Sequence, residues 1–104
     1  MRLAHIGLIA TIGLLTNAAC LAADSADKLA AKNNCLACHQ IDKKVVGPSY
    51  KEVAAKYKGD KSAESKLIEK VKKGGTGVWG NIPMPAQNVK DDELKSIVKW
   101  ILSQ

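Results

Sequence analysis

Cys35-Leu36-Ala37-Cys38-His39 reads C-x-x-C-H, the spacing that attaches haem covalently to a polypeptide. Two thiols three positions apart can each add to one vinyl group of the porphyrin. The histidine that follows is placed to reach the iron from one face. Beyond residue 23 the chain holds two cysteines, one histidine and one methionine, Met84. Each of the four has a role on a haem, and none is left over. The iron therefore has one candidate axial ligand per side, His39 and Met84. The expected cofactor is haem c, one per chain and covalently bound.

Other readings of the cysteine pair fail on counting. A structural zinc site needs four ligands, usually Cys or His, and this segment offers three within five residues. A thioredoxin-like redox pair belongs near a βαβ pattern, and no strand alternation is visible. A disulfide between Cys35 and Cys38 would close too small a loop to stabilise much.

Residues 1–23 have the layout of a secretory signal peptide. Met1-Arg2 supplies a positive start, Leu3 to Leu15 is mostly apolar, and small residues run to Ala22-Ala23. The apolar run is too short to span a bilayer comfortably, so no stable membrane insertion is expected after cleavage, which is placed after Ala23 or Ala22. Cys20 offers a lipidation alternative. Against it, Asn17 stands where such sites usually carry a larger apolar residue. Export fits the chemistry, because c-type haem is attached outside the bacterial inner membrane, and the expected location is the periplasm.

Residues 24–104 then form one small domain of 81 residues. A chain of this size has little interior and often needs a staple. It has no phenylalanine, so aromatic packing falls to Tyr50, Tyr57, Trp79 and Trp100. A large flat apolar cofactor would answer that deficit. The domain carries 15 lysines, no arginine and 10 acidic residues. Nucleic-acid binding would call for arginine and clustered basic stretches. These lysines are interleaved with glutamate and alanine instead. Most are solvated helix faces, and some could form a basic rim that steers docking to an acidic protein.

Four helical segments are predicted and no strand. The first runs from about Asp27 to Asn34 into the haem motif. Gly47-Pro48 breaks the chain, and Ser49 is placed to cap a helix to about Lys58, ended by Gly59. Ser62 is a candidate cap for a third helix with Leu67, Ile68 and Val71 as its buried stripe, stopped by Gly74-Gly75. The last carries Leu94, Ile97, Val98, Ile101 and Leu102 at helical spacing. Asp91, Asp92 and Glu93 crowd its first turn, where negative charge meets the positive end of the helix dipole. Trp100 beside the stripe reads as packing.

Between the last two helices, residues 74–89 hold four glycines, two prolines, Trp79 and Met84. That composition supports neither helix nor strand, and long irregular loops in compact domains are usually functional. Met84 lies in Ile82-Pro83-Met84-Pro85. Each proline locks its own φ, and the one after Met84 biases it toward extended backbone. A stiff loop loses less entropy when it places a sulfur at iron. Imidazole plus thioether fills both axial positions, and the soft sulfur raises the potential. Such a centre suits a one-electron carrier. An enzyme or gas sensor in which Met84 is displaced is the alternative, but no distal histidine or arginine is present to assist peroxide chemistry.

From about Asp27 onward the chain resembles the small bacterial class I cytochromes c, the cytochrome c-551/c-552 family. The resemblance rests on CLACH at 35–39, VVGPSYKEVAAKY at 45–57, GVWGNIPMP at 77–85 and DDELKSIVKWILSQ at 91–104. It implies an all-α fold, the small class I cytochrome c fold, with about four helices wrapped around one haem. His39 and Met84 would be the axial ligands, with Cys35 and Cys38 forming the thioethers. The Pro48 carbonyl would accept a hydrogen bond from the His39 ring, fixing its tautomer. Trp79 would donate its indole N–H to a haem propionate, and Lys70 would stand near that propionate. The implied role is electron transfer in the periplasm by a monomer, often to nitrite reductase, otherwise to an oxidase or peroxidase. Upstream, a quinol-oxidising complex would supply the electrons. Two positions depart from the family pattern. Gln87 stands where an asparagine often holds the methionine loop. Lys90 stands where a serine often caps the last helix, so that Asp91 is expected to take over the cap.

Overall fold

Helix α4, Asp91–Leu102, is the element on which the others pack. Its stripe is buried as its spacing predicts: Leu94, Ile97, Val98 and Ile101 are all at or below 9% exposure, while Leu102 is half-buried. Burying each such side chain contributes roughly 1.5–3 kcal/mol, so this face is the main stabilising surface of the protein. Against it lie α1 (Ala26–Lys32), α2 (Tyr50–Lys56) and α3 (Ala63–Lys73). The buried core joins the α4 stripe to Leu29, Ala30, Tyr50, Val53 and Val89. The structure, a computed structural model, describes residues 25–104 with Gly13 alone ahead of them. The leader expected over residues 1–23 otherwise lies outside the described residues. Among the described residues there is no strand, only two isolated antiparallel bridges, His39 with Lys44 and Gly75 with Met84.

The helix ends depart from expectation for local reasons. α1 stops at Lys32 rather than Asn34, because Asn33 folds its side chain back onto the Leu29 carbonyl at 2.9 Å. Asn34 then takes a left-handed φ of 61°, a conformation asparagine tolerates better than most residues. That turn feeds a 3-10 segment, Cys35–Ala37, which carries the haem motif. α2 starts where Ser49 predicts it. The Ser49 hydroxyl accepts from the Glu52 N–H at 3.1 Å, and the Glu52 carboxylate accepts from the Ser49 N–H at 2.9 Å, a reciprocal capping box. It ends at Lys56, with Gly59 at φ +81° beyond it.

Ser62 holds the N-cap position of α3 but makes no capping bond. Its hydroxyl and its N–H both donate to Asp60, at 2.7 and 2.8 Å. At α4 the N-cap position is Lys90, not Asp91, and no side chain caps there. Asp92 instead accepts from the Glu93 N–H at 2.9 Å. The stripe of α3 is also only half-buried at Leu67, Ile68 and Val71. Leu67 and Val71 open onto a cavity rather than onto protein.

Candidate haem site

The segment after the 3-10 turn doubles back to build one wall. The Gly47 N–H donates to the Cys38 carbonyl at 2.8 Å, and the Tyr50 and Lys51 N–H groups donate to the Gln40 and Ile41 carbonyls at 2.9 and 3.0 Å. These bonds bring Pro48 under His39. The His39 Nδ1 lies 2.8 Å from the Pro48 carbonyl oxygen. A carbonyl only accepts, so Nδ1 carries the proton and Nε2 keeps its lone pair. Gly47 permits this approach: a Cβ there would lie 2.4 Å from His39 Cε1.

The opposite wall is the 74–89 loop. Met84 is paired with Gly75 in both directions, its N–H donating to the Gly75 carbonyl at 2.8 Å and its carbonyl accepting from the Gly75 N–H at 3.0 Å. Gly74, at φ +73°, lies so close beneath that a Cβ would meet the Met84 carbonyl oxygen at 2.5 Å. Gln87 ties the far end down. Its N–H donates to the Val71 carbonyl at 2.9 Å, and its side chain donates to the Pro85 carbonyl at 3.0 Å. The position that carries asparagine in many of the resembled proteins thus still anchors the loop.

Between the walls is a cavity of about 290 Å³ that Cys35, Cys38, His39, Pro48, Lys70, Trp79 and Met84 all line. Its floor is the α4 stripe, Leu94, Ile97, Val98 and Ile101. Residues separated by up to 66 positions along the chain, Cys35 to Ile101, therefore face one apolar space. The Lys70 ammonium sits over Gly75, where a Cβ would come within 2.6 Å of Nζ. Trp79 is 39% exposed, and the Lys56 ammonium lies 5.4 Å from its ring centroid, within cation–π range. Neither cysteine is in a disulfide. Burial pushes the Cys35 thiol above its ordinary pKa. Among the described residues no three His, Cys, Asp or Glu side chains form a metal-holding cluster. A flat apolar group with an iron centre and anionic edges fits this donor set: two thiols, an imidazole Nε2, a thioether, an ammonium and an indole N–H around apolar walls.

Two residues belong to the site whose part in it the sequence reading does not assign. From sequence alone, Gly47 is a chain breaker and Tyr50 one of four packing aromatics. In the structure Tyr50 is buried and stacks on the His39 ring with centroids 5.5 Å apart and planes 20° apart. Trp100 meets Tyr50 edge-on at 5.2 Å, in keeping with its reading as a packing residue.

The Cytochrome c family model matches residues 23–104. Cytochrome c-551 of Pseudomonas aeruginosa is 48% identical over 101 residues, covering 97% of this chain and 95% of that protein. The crystal structure of wild-type cytochrome c552 of Nitrosomonas europaea superposes with a TM-score of 0.72 at 51% identity, covering 74% of this chain and 96% of the other. The class 1 cytochrome MtoD of Sideroxydans lithotrophicus ES-1 superposes with a TM-score of 0.64 at 41% identity, covering 77% and 92%.

Proposed function

The chain belongs to the cytochrome c family, and from that premise we propose that it carries single electrons on one haem c held by Cys35 and Cys38, with His39 and Met84 as its axial ligands. Proteins of this family transfer electrons and are not enzymes. The observation that carries the finer reading is the convergence of all seven candidate residues on one cavity, with His39 already committed at Nδ1 to Pro48.

The bound haem supplies the one-electron couple. Cys35 and Cys38 would hold the haem through their sulfurs, each thiol adding across one vinyl group and its proton passing to the neighbouring vinyl carbon. Nothing is oxidised or reduced. Pro48 holds the imidazole in one tautomer and makes it a stronger donor. A thioether is a weak ligand, so the Met84 sulfur depends on its backbone being placed beforehand by the Gly75 bridge and the flanking prolines. Lys70 and Trp79 would offer an ammonium and an indole N–H to the anionic propionates, which need such partners when drawn out of water. His39 and Met84 would hold the iron in either oxidation state, so little of this chain would have to move when an electron passes.

The test is direct. Acidic organic solvent should leave the haem on the purified protein, since two thioethers hold it. Met84→Ala should lower the reduction potential and open the sixth position to carbon monoxide. Haem that extracts freely, or a variant with unchanged spectrum and potential, would sink the assignment.

The leader places the mature protein, from about Asp24, in the periplasm. Among the described residues no helix is long and apolar enough to cross a membrane. Its partners are other redox proteins: a quinol-oxidising complex upstream, and a reductase such as nitrite reductase, an oxidase or a peroxidase downstream, each met by a monomer. Docking falls at Val46 and Ile82, 46% and 67% exposed on the cavity lining, and at Val45 next to them, 51% exposed. Lys43 and Lys44 adjoin them and form a basic rim that speeds encounter with an acidic partner more than it tightens the complex. Lys43→Glu/Lys44→Glu should slow electron transfer severalfold at low salt, with the gap closing as salt screens the charges. A double variant as fast as wild type at low ionic strength would remove the steering role and leave the haem assignment standing.

A further inference from the structure

The loop that carries Trp79 is held at its base rather than along its length. The Gly75–Met84 pair closes residues 76–83 into a lobe. Inside it the Gly77 N–H and the Thr76 hydroxyl both donate to the Gly80 carbonyl, at 2.9 and 3.3 Å. Among the described residues the lobe makes no hydrogen bond to any helix. A Cβ at Gly77 or Gly80 would meet no heavy atom within 4 Å, and Val78 and Ile82 are exposed. Yet the haem reading gives Trp79 a directional task, to present its indole N–H to a propionate from the cavity wall it forms. A lobe held this way does not fix that direction by itself.

A charged group from outside the lobe reaches the ring. The Lys56 ammonium lies 5.4 Å from the Trp79 ring centroid. Lys56 is the last residue of α2, a helix fixed by its capping box and its packing on α4. Lys32, Lys66, Lys72 and Lys73 each pair with a carboxylate. The Lys56 ammonium has no such partner among the described residues and sits over the indole instead. A solvated lysine would also suit the negative end of α2. That accounts for the charge but not for its seat on an aromatic face. Trp is the best ring for such a contact, which shifts an equilibrium about two- to five-fold at an exposed site.

We propose that Lys56 is a positioning residue for Trp79: its ammonium, carried on a fixed helix end, holds the indole face so that the N–H edge stays on the cavity and on the propionate it meets. The cation also adds its charge to that end of the site, which favours the reduced form. This inference rests on the haem reading and gives a part in the site to a residue that reading leaves out.

Lys56→Met in the holoprotein tests it, because methionine keeps the helix end and removes the cation. Lys58→Met, two residues on and without a ring contact among the described residues, removes the same charge and is the reference. The chain has two tryptophans, Trp79 and Trp100, so the Trp100 indole is an internal standard. Hydrogen exchange of the Trp79 indole N–H, followed by NMR, should quicken about two- to five-fold in Lys56→Met while Trp100 does not change. The reduction potential should fall further than in Lys58→Met. In a Trp79→Leu background that surplus should vanish, as expected when two residues act through each other. Unmoved exchange at Trp79, or a quickening shared with Trp100, overturns the proposal. So does a potential that falls equally in the two lysine variants, or a surplus that survives in Trp79→Leu, since Lys56 is then a solvated charge. A c-type absorption spectrum with non-extractable haem in Lys56→Met shows that the wider haem reading survives such a result.

Discussion

At Gly47 a single missing carbon decides how the imidazole sits. A Cβ there would come within 2.4 Å of His39 Cε1 and 2.8 Å of Nδ1. The neighbours cannot give way cheaply: Tyr50, stacked on the ring, and Pro48, bonded to its Nδ1, are both buried, and the Gly47 N–H is already bonded to Cys38. The left-handed backbone that usually demands glycine is not involved, because Gly47 is not among the positive-φ glycines. The requirement is close approach alone. Gly47→Ala should therefore rotate the His39 ring and stretch its 2.8 Å bond to Pro48. Overpacking of this kind costs about 1–3 kcal/mol. Denaturant unfolding of the holoprotein reads the stability, and the paramagnetic NMR shifts of the ferric form read the imidazole orientation. Wild-type stability together with unmoved shifts would show that the wall yields and that Gly47 is only a chain breaker.

Helix α3 shows how far an element can be read before it is seen. It begins after Ser62 and stops at Gly74 as predicted, and Leu67, Ile68 and Val71 share a face as the spacing predicts. The cap and the burial do not follow, because both depend on partners that spacing does not name. Asp60, two residues before the N-cap position, accepts from the Ser62 N–H and hydroxyl and from the Lys66 ammonium at 2.8 Å. The hydrogen bond from Lys66 first, and those from Ser62 next, hold its carboxyl down to about 2 from an ordinary 3.8. A depressed carboxylate contributes stability that is present above the ordinary value and is lost as pH falls through the depressed one. Asp60→Asn should therefore be less stable than wild type at neutral pH, by a modest margin because the pair is exposed. The margin should shrink between about pH 4 and pH 2. Urea unfolding of both holoproteins across that range measures it, and a margin independent of pH would mean that the carboxylate charge is not its source. The same limit explains the other partial readings. The α4 stripe is legible from Leu94 to Ile101 because three helices pack against it and bury those side chains even where they also face the cavity. The 74–89 loop is legible as irregular, yet its single Gly75–Met84 pair leaves no alternation to find. The capping box at Ser49 is written locally in Ser-x-x-Glu, whereas the stack of Tyr50 on His39 joins residues eleven apart through a turn whose course no local pattern sets.

The molecule as a whole is built round a space. Leu94, Ile97, Val98 and Ile101 are counted in the buried core and also floor the cavity, so one stripe serves the packing of three helices and the face of a cofactor. Leu67 and Val71 on α3 are half-buried for the same reason. Small domains bury a low fraction of their surface and are marginal unless something supplements the core. This chain lacks phenylalanine and places the aromatic ring of Tyr50 on the cavity wall rather than across it. The supplement is then the haem, which would cover apolar side chains of α3, α4 and both loops at once and link them through Cys35, Cys38, His39 and Met84. It follows that the helices should not stand without it. Cys35→Ala/Cys38→Ala, unable to attach haem covalently, should lose most of the far-ultraviolet helical signal after haem is washed out, with no cooperative transition in urea. The mature wild-type protein should unfold cooperatively under the same conditions. The α4 stripe alone cannot rescue the variant, because an isolated helix of 12 residues is marginal in water. A haem-free double variant with native helical content and a sharp transition would show that the four helices pack without the cofactor, and the cavity would then be a pocket in a finished protein rather than the place of its missing core.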